Sequence, residues 1–319
     1  MTNVYSINQI DEQQIRRIST GIYDLDELIG NSCLERKFIG KSRFYEEAHI
    51  ERGLPRGFIS LWSGEAGVGK SRIITQIAKN VNAEGNCVLV FPGEMPLSEY
   101  KNYIKNVRFP NTYYVSNSDI LSEQLDIIEN VRHNHQSPFY PNLIIIDSIN
   151  MLEDFNSSTG IREIMNTYKT KAYQTNAHIA FIAHQNKEGD VKGNTDLSHL
   201  VDNVFMLNKY EPPKFVIVNG KRVRTDELKL DKKTQDEIRS IFCIEVGKNR
   251  AGKSGGKLYF KHTDNGVEEC GHNINIIVPT VVQENNIVTQ REPIVGIDVN
   301  LQGKPMNFFD RLFFKNFGG

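Results

Sequence analysis

The chain has 319 residues, 39% of them hydrophobic, which suffices for one large core with smaller attachments. Its 38 basic and 39 acidic residues leave a net charge of −1, so the protein is no polycation and any nucleic-acid contact has to be local. Cys33, Cys87, Cys243 and Cys270 form no CxxC pair, no apolar core of signal-peptide length opens the chain, and no run nears the roughly 18 apolar residues of a membrane span; together these exclude a disulfide framework, a structural zinc site and a membrane protein, and the reading is cytoplasmic.

From Phe58 onward, short apolar runs alternate with longer amphipathic segments. The runs "FISLWSG", "CVLVFPGE", "TYYVS", "LIIIDS", "HIAFIAH" and "VFMLN" are rich in Val, Ile and aromatics and too short for buried helices, so they predict strands. Between them, "KSRIITQIAKNVNA", "PLSEYKNYIKNV", "SEQLDIIENVRHN" and "GIREIMNTYKTKAYQ" space their apolar residues at three and four, as helices do. The alternation predicts an α/β fold with a central, mostly parallel sheet flanked by helices. After Val204 the pattern changes: "KFVIVNGKRVRTDEL" and "KLYFKHTDNGVEEC" alternate around Asn219-Gly220 and Asn265-Gly266, pairs suited to two-residue turns, which predicts antiparallel hairpins in the later half. The expected organisation is an N-terminal segment and linker or subunit arm over 1–57, an α/β core over 58–268 and a C-terminal extension over 269–319.

"GEAGVGKS" fits the phosphate-loop pattern G-x-x-x-x-G-K-[ST], after a strand and opening a helix. Gly64, Glu65, Ala66, Gly67, Val68 and Gly69 supply a backbone that can turn its N–H groups inward, Lys70 reaches the β- and γ-phosphates, and Ser71 can ligate Mg²⁺. Asp147, at the end of "LIIIDS", is the candidate for the Mg²⁺ hydration shell, with a helix N-cap as its structural alternative. Glu94 closes "CVLVFPGE" on what should be the strand next to the phosphate-loop strand, where a carboxylate can orient and deprotonate an attacking water; the alternative is a surface glutamate before a helix. His184 and Gln185 end the fifth run, placed either to sense the γ-phosphate or to be satisfied polar groups at a sheet edge.

Taken together these segments resemble the RecA-like ATPases, and within them the RadA/Sms group and the related DnaB-type hexameric helicases. "RISTGIYDLDELIG" is similar to the segment before the RadA phosphate loop, "GEMP" to the catalytic-glutamate motif of both groups, and "AHQNKEG" and "HLVDNVFML" to RadA segments around the fifth and sixth strands. The resemblance covers about residues 15–268, with insertions near 31–52 and 210–238. It implies a RecA-like P-loop core, ATP and Mg²⁺ as cofactors, and a homo-oligomer, expected to be a hexameric ring. It also implies single-stranded DNA as partner, alongside recombination or replication proteins. "GKNRAG" resembles the KNRFG motif, which makes Lys248 and Arg250 fingers reaching the γ-phosphate held by a neighbouring subunit; a solvated turn is the bland alternative. Residues i and i+2 of an extended strand point to one side, so both cations can address one anion.

Three departures from the resemblance stand out. No zinc module precedes the phosphate loop, about fifty residues follow "NGVEEC" where RadA has a Lon-protease-like domain, and Ala251 replaces the Phe of KNRFG. The functional reading is an ATP-dependent motor on single-stranded DNA in recombination, repair or replication. A replicative helicase, and a KaiC-like or recombinase-mediator switch that does no unwinding, stand beside it. The candidate DNA loops are Glu153–Glu163 and Asn186–Asp196, where Lys187, Lys192 and the backbone near Gly189 and Gly193 can follow phosphates. The 31–52 insertion reads as a loop or subunit arm, the Lys221, Arg222 and Arg224 hairpin as a solvated edge or a DNA contact, and the five phenylalanines between Phe308 and Phe317 as a docking tail.

Overall fold

The computed structural model of the chain describes residues 14–39, 44–133, 141–152, 158–185, 197–218, 221–225, 230, 232–264 and 266–272. The first elements are β1 (Arg17–Ile18), α1 (Tyr23–Ile29), β2 (Asn31–Ile39), β3 (Phe44–Arg52) and β4 (Leu54–Pro55), with β1 paired to β4 and β2 to β3, both antiparallel. The 31–52 insertion, read from the sequence as a loop or subunit arm, consists of two nine-residue strands paired antiparallel, with Asn31 opposite Arg52 and Ile39 opposite Phe44. A ladder pairs backbone groups that an irregular loop would leave to water.

The alternating region follows as β5 (Ile59–Gly64), α2 (Lys70–Ala83), β6 (Val88–Pro92), α3 (Leu97–Tyr103), β7 (Tyr113–Val115), α4 (Leu121–His133), β8 (Leu143–Asp147), α5 (Ser158–Thr175), β9 (His178–His184), α6 (Leu197–Leu200) and β10 (Asn203–Lys209). Next come β11 (Phe215–Val218), β12 (Lys221–Arg224), α7 (Lys232–Arg239), β13 (Ile241–Asn249), β14 (Gly256–Thr263) and β15 (Gly266–Gly271). Nine strands form one sheet in the order β15-β14-β13-β10-β5-β9-β8-β6-β7. From β10 to β7 every pairing is parallel; β13, β14 and β15 extend the sheet antiparallel beyond β10. This is the α/β, mostly parallel architecture expected from the apolar runs, with the antiparallel strands late.

The strand order corrects one expectation. β6, which leads to Glu94, is not beside the phosphate-loop strand β5; β9 and β8 lie between them. A β/α alternation gives each strand's existence, but its neighbours are chosen by long-range packing, and here the latest crossovers fill the centre. His184 likewise ends an interior strand, flanked by β5 and β8, and is at no lateral edge of the sheet.

Both faces of the sheet are covered, which is why its strands read as continuous apolar runs. Trp62, Leu143, Ile145, Ala180 and Ile182 face α2, whose Ile73, Ile74, Ile77, Ala78 and Val81 form a single buried stripe. Ile59, Leu61, Ile144, Ile146, Ile179 and Phe181 face the other way, against Ile161, Ile164, Met165, Tyr168 and Ala172 of α5. The segment before the phosphate loop joins the α2 side through Ile18, Leu25, Ile29 and Leu54. Its buried Asp26 accepts hydrogen bonds from Thr20 N (2.8 Å), Thr20 Oγ1 (2.7 Å) and Ser19 Oγ (2.7 Å), which bind the turn before α1 into one unit. Burial nevertheless pushes the Asp26 carboxyl pKa up.

Residues Glu211–Ile238 belong to a separate compact unit. Within it β11 pairs with β12 from Phe215 opposite Arg224 to Val218 opposite Lys221, as the alternation predicted, while the Asn219-Gly220 turn lies outside the described residues. Among the described residues no helix is long and apolar enough to cross a membrane.

Candidate functional site

The carboxyl ends of β5, β6, β8 and β9 lie along one edge of the sheet, and the chain leaves them carrying Lys70, Glu94, Asp147 and His184. The loop Gly64–Ser71 turns through Gly67 (φ 76°) and Gly69 (φ 107°), backbone conformations that glycine adopts without a Cβ penalty, and enters α2 at Lys70. Lys70 is buried, and its Nζ donates to the carbonyls of Gly64 (2.8 Å) and Glu65 (2.9 Å). Burial lowers its pKa, an effect that the nearby Asp147 and Glu94 charges partly offset.

Lys70 Nζ also donates to His184 Nδ1 at 3.3 Å, and His184 Nε2 lies 2.7 Å from Glu94 Oε1. An ammonium can only donate, so Nδ1 is the acceptor and Nε2–H is the donor to the carboxylate: Lys70, His184 and Glu94 form one directed chain. Glu94 reaches it from two strands away because its backbone N–H is fixed to Asp147 O at 3.2 Å. Burial raises the Glu94 pKa, but hydrogen bonds from Ser148 and His184 and the Lys70 charge outweigh it, and the net direction is down. A carboxylate held ionised and half exposed can accept a proton from a water.

Asp147 ends β8 with Ser71 hydrogen-bonded to its carboxylate. Burial, helped by the Glu94 charge and opposed by Ser71, His184 and Lys70, pushes its pKa up to about 6. A cis peptide joins Asp147 to Ser148. Gln185 hydrogen-bonds Ser63 Oγ at 3.1 Å through its side chain and Gly64 O at 3.1 Å through its backbone, so it braces the strand end below the loop. Glu65 and Ala66 are exposed on the loop, and Glu65 pairs with Lys209 at 2.9 Å. Both partners are about 60% exposed, so little energy rests on that pair.

The other two candidates stand at the opposite end of the sheet. Lys248 is in register with Val204 and Asn249 with Asn203; these in turn face Leu61 and Ser60, about 10–13 Å back along β5 from Gly64. Lys248 Nζ donates to the carbonyls of Ser198 (3.2 Å), His199 (3.0 Å) and Val201 (2.7 Å), closing the C-terminal end of α6. Arg250 Nη1 donates to Asp202 Oδ1 at 2.9 Å. The turn itself is held from below: Asn249 Nδ2 donates to Ile29 O (2.6 Å), and the buried Arg17 donates to Ala251 O and to Gly53 O (2.9 Å). Within its own chain the pair is directed away from the phosphate loop.

Asp202, Arg17 and Asn249 were not singled out from the sequence. An aspartate inside the apolar "HLVDNVFML" was a signal for the first; nothing local marks the other two. A cavity of about 390 Å³ was also missed, lined by Arg72, Thr75 and Lys79 on the outward stripe of α2, Tyr103 at the end of α3, and Asp264. Of the DNA loop candidates, residues 158–163 open α5 and 153–157 lie outside the described residues, as do all of 186–196, including Lys187, Gly189, Lys192 and Gly193. The Phe308–Phe317 tail is outside them too.

No protein-family model matches the chain. Individual proteins do: the DNA repair protein RadA of Aquifex aeolicus is 26% identical over 275 residues, 83% of this chain and 49% of that protein. RadA of Brucella abortus is 24% identical over 294 residues, 88% of this chain and 57% of the relative. RadA of Rickettsia felis is 33% identical over 161 residues, 48% of this chain and 34% of the relative. The chain is RadA-like, on a RecA-like fold. This RadA-like chain spans about half the length of the curated relatives it matches.

Proposed function

We propose that the RadA-like chain is an ATP hydrolase that works in DNA repair or recombination, assembled so that one subunit completes the site of the next. The observation that carries this reading is the directed chain Lys70–His184–Glu94 beside the hydrogen-bonded pair Ser71–Asp147. The residues suit a magnesium nucleotide: hydroxyl and carboxylate oxygens are the hard donors Mg²⁺ prefers, and a buried lysine lies at the start of a helix, where anions are favoured. Ser71 and Asp147 would hold the ion, which when bound neutralises charge on the β- and γ-phosphate oxygens.

Glu94 then orients the attacking water and takes its proton, and His184, bonded to both Lys70 and Glu94, reports the state of the phosphate to the strand end. Tyr103 and Arg72 border the cavity that takes the base and ribose. Lys248 and Arg250, directed away from their own loop, act on the γ-phosphate of the neighbouring subunit; such a finger contributes roughly 10³ to 10⁵ in rate. The finer reading is a head-to-tail ring, with six subunits, that translocates on single-stranded DNA, unwinds it or migrates branches.

ATP turnover measured with and without single-stranded DNA, over a range of protein concentrations, tests this. Stimulation by DNA and a steep rise of specific activity with concentration support the assembled motor. Turnover indifferent to both sinks it, and leaves at most an ATP-driven switch.

A further inference from the structure

The strand that follows the GKNRAG turn runs back to the phosphate loop. His262, next to the end of β14, lies against the loop with Nε2 at 3.2 Å from the Val68 carbonyl oxygen. A Cβ at Gly69 would run into its ring carbon Cε1, so the imidazole occupies the space that a side chain at 69 would need. The ring is stacked on Phe242 of β13, centroids 4.7 Å apart and planes 24° from parallel. Its Nδ1 is buried and has no hydrogen-bond partner among the described residues.

A carbonyl only accepts, so the proton sits on Nε2 and His262 is the donor. Burial, aided by the Arg72 charge and opposed by the bond to Val68, keeps the ring below the usual imidazole range, and neutral at pH 7. The Val68 carbonyl and the Gly69 N–H belong to one planar trans peptide and point in opposite directions. A carbonyl held by His262 therefore turns the Gly69 N–H away from β14. At φ 107°, Gly69 has no side chain to hold that plane itself.

We infer that His262 is a positioning residue for phosphate binding: by anchoring the Val68 carbonyl it aims the Gly69 amide at the bound anion. This rests on the reading of Gly64–Ser71 as a phosphate loop. An N–H dipole at a helix start stabilises an anion only while it is oriented, and an unanchored glycine peptide can rotate. The histidine supplies orientation without touching the nucleotide.

The test is equilibrium titration with ADP, inorganic pyrophosphate and adenosine, alongside thermal melts. His262→Phe keeps a flat ring on Phe242 and removes the donor; His262→Gln restores a donor at similar reach. The Phe variant is expected to bind ADP and pyrophosphate about three- to tenfold more weakly, one net hydrogen bond's worth, with adenosine binding unchanged. The Gln variant should recover most of that loss. Equal affinity of wild type and the Phe variant overturns the inference, and so does a Gln variant no better than Phe, since the ring would then act by packing alone. Should the Phe variant not fold, His262→Leu makes the same comparison. A wild-type protein that binds neither ADP nor pyrophosphate, or a Lys70→Ala protein that binds both normally, overturns instead the phosphate-loop reading beneath it.

Discussion

Asp202 joins Arg250 to the base of the phosphate-loop strand: its Oδ1 accepts from Arg250 Nη1 at 2.9 Å while its Oδ2 accepts from the Ile59 N–H at 3.1 Å. Lys169 lies 3.3 Å from the same Oδ1. The Asp202 side chain is 11% exposed and that of Arg250 54%, so the carboxylate is built into the fold and the guanidinium is not. Asp202→Ala leaves the Ile59 N–H without its acceptor and should cost about 1–3 kcal/mol of stability, whereas Asp202→Asn, which keeps an acceptor oxygen, should cost less. Denaturant unfolding of the two variants measures the difference. Equal losses would mean that charge, not the backbone bond, dominates.

The trans reading of Lys248 and Arg250 predicts complementation. Lys70→Ala lacks a working phosphate loop and Arg250→Ala lacks a finger, so each alone should turn over ATP at least about a thousandfold slower than wild type. In an equal mixture, about a quarter of head-to-tail interfaces combine an intact loop with an intact finger, and turnover should recover in that proportion. Steady-state ATPase of mixed subunits reads this directly. An Arg250→Ala protein with normal turnover removes the finger assignment altogether.

Acid should destabilise the fold through His178. The imidazole is fully buried, with Nε2 at 2.8 Å from Ser60 Oγ and Nδ1 at 2.8 Å from Pro55 O, and burial pushes its pKa down to about 4. The unfolded chain takes up a proton near pH 6.5 and the folded one only near 4. The stability that the neutral ring contributes is therefore complete above about 6.5 and lost as pH falls through about 4, a change of about 3 kcal/mol. Urea unfolding between pH 7 and 4 should show this slope in wild type and a shallower one in His178→Gln. Parallel slopes would assign the acid sensitivity to other groups.

Much of the fold was legible because its signals are local. Runs such as "LIIIDS" announce strands buried on both faces, and the α2 stripe from Ile73 to Val81 announces a helix with one apolar side. The glycine-rich turn Gly64–Ser71 was legible for the same reason, since glycine backbone freedom and a lysine at a helix start are properties of eight consecutive residues. Glu94 was placed at a strand end correctly but on the wrong neighbouring strand, because strand order is not written in periodicity. His262 was invisible: it is one polar residue on an alternating strand, and only the return of β14 to Val68 gives it a partner.

The sequence by itself determined the strands and helices, the glycine-rich turn Gly64–Ser71 and the carboxylates at the ends of nearby strands, since each follows from hydrophobic period or backbone freedom over a few residues. Only the tertiary structure decided that β9 and β8 stand between β5 and β6, that His184 links Lys70 to Glu94, that Asp202 holds Arg250, and that Lys248 and Arg250 stand at the opposite end of the sheet from the Gly64–Ser71 loop. Those relations are hydrogen bonds and pairings between residues far apart in the chain, chosen by how a two-faced sheet buries both its sides.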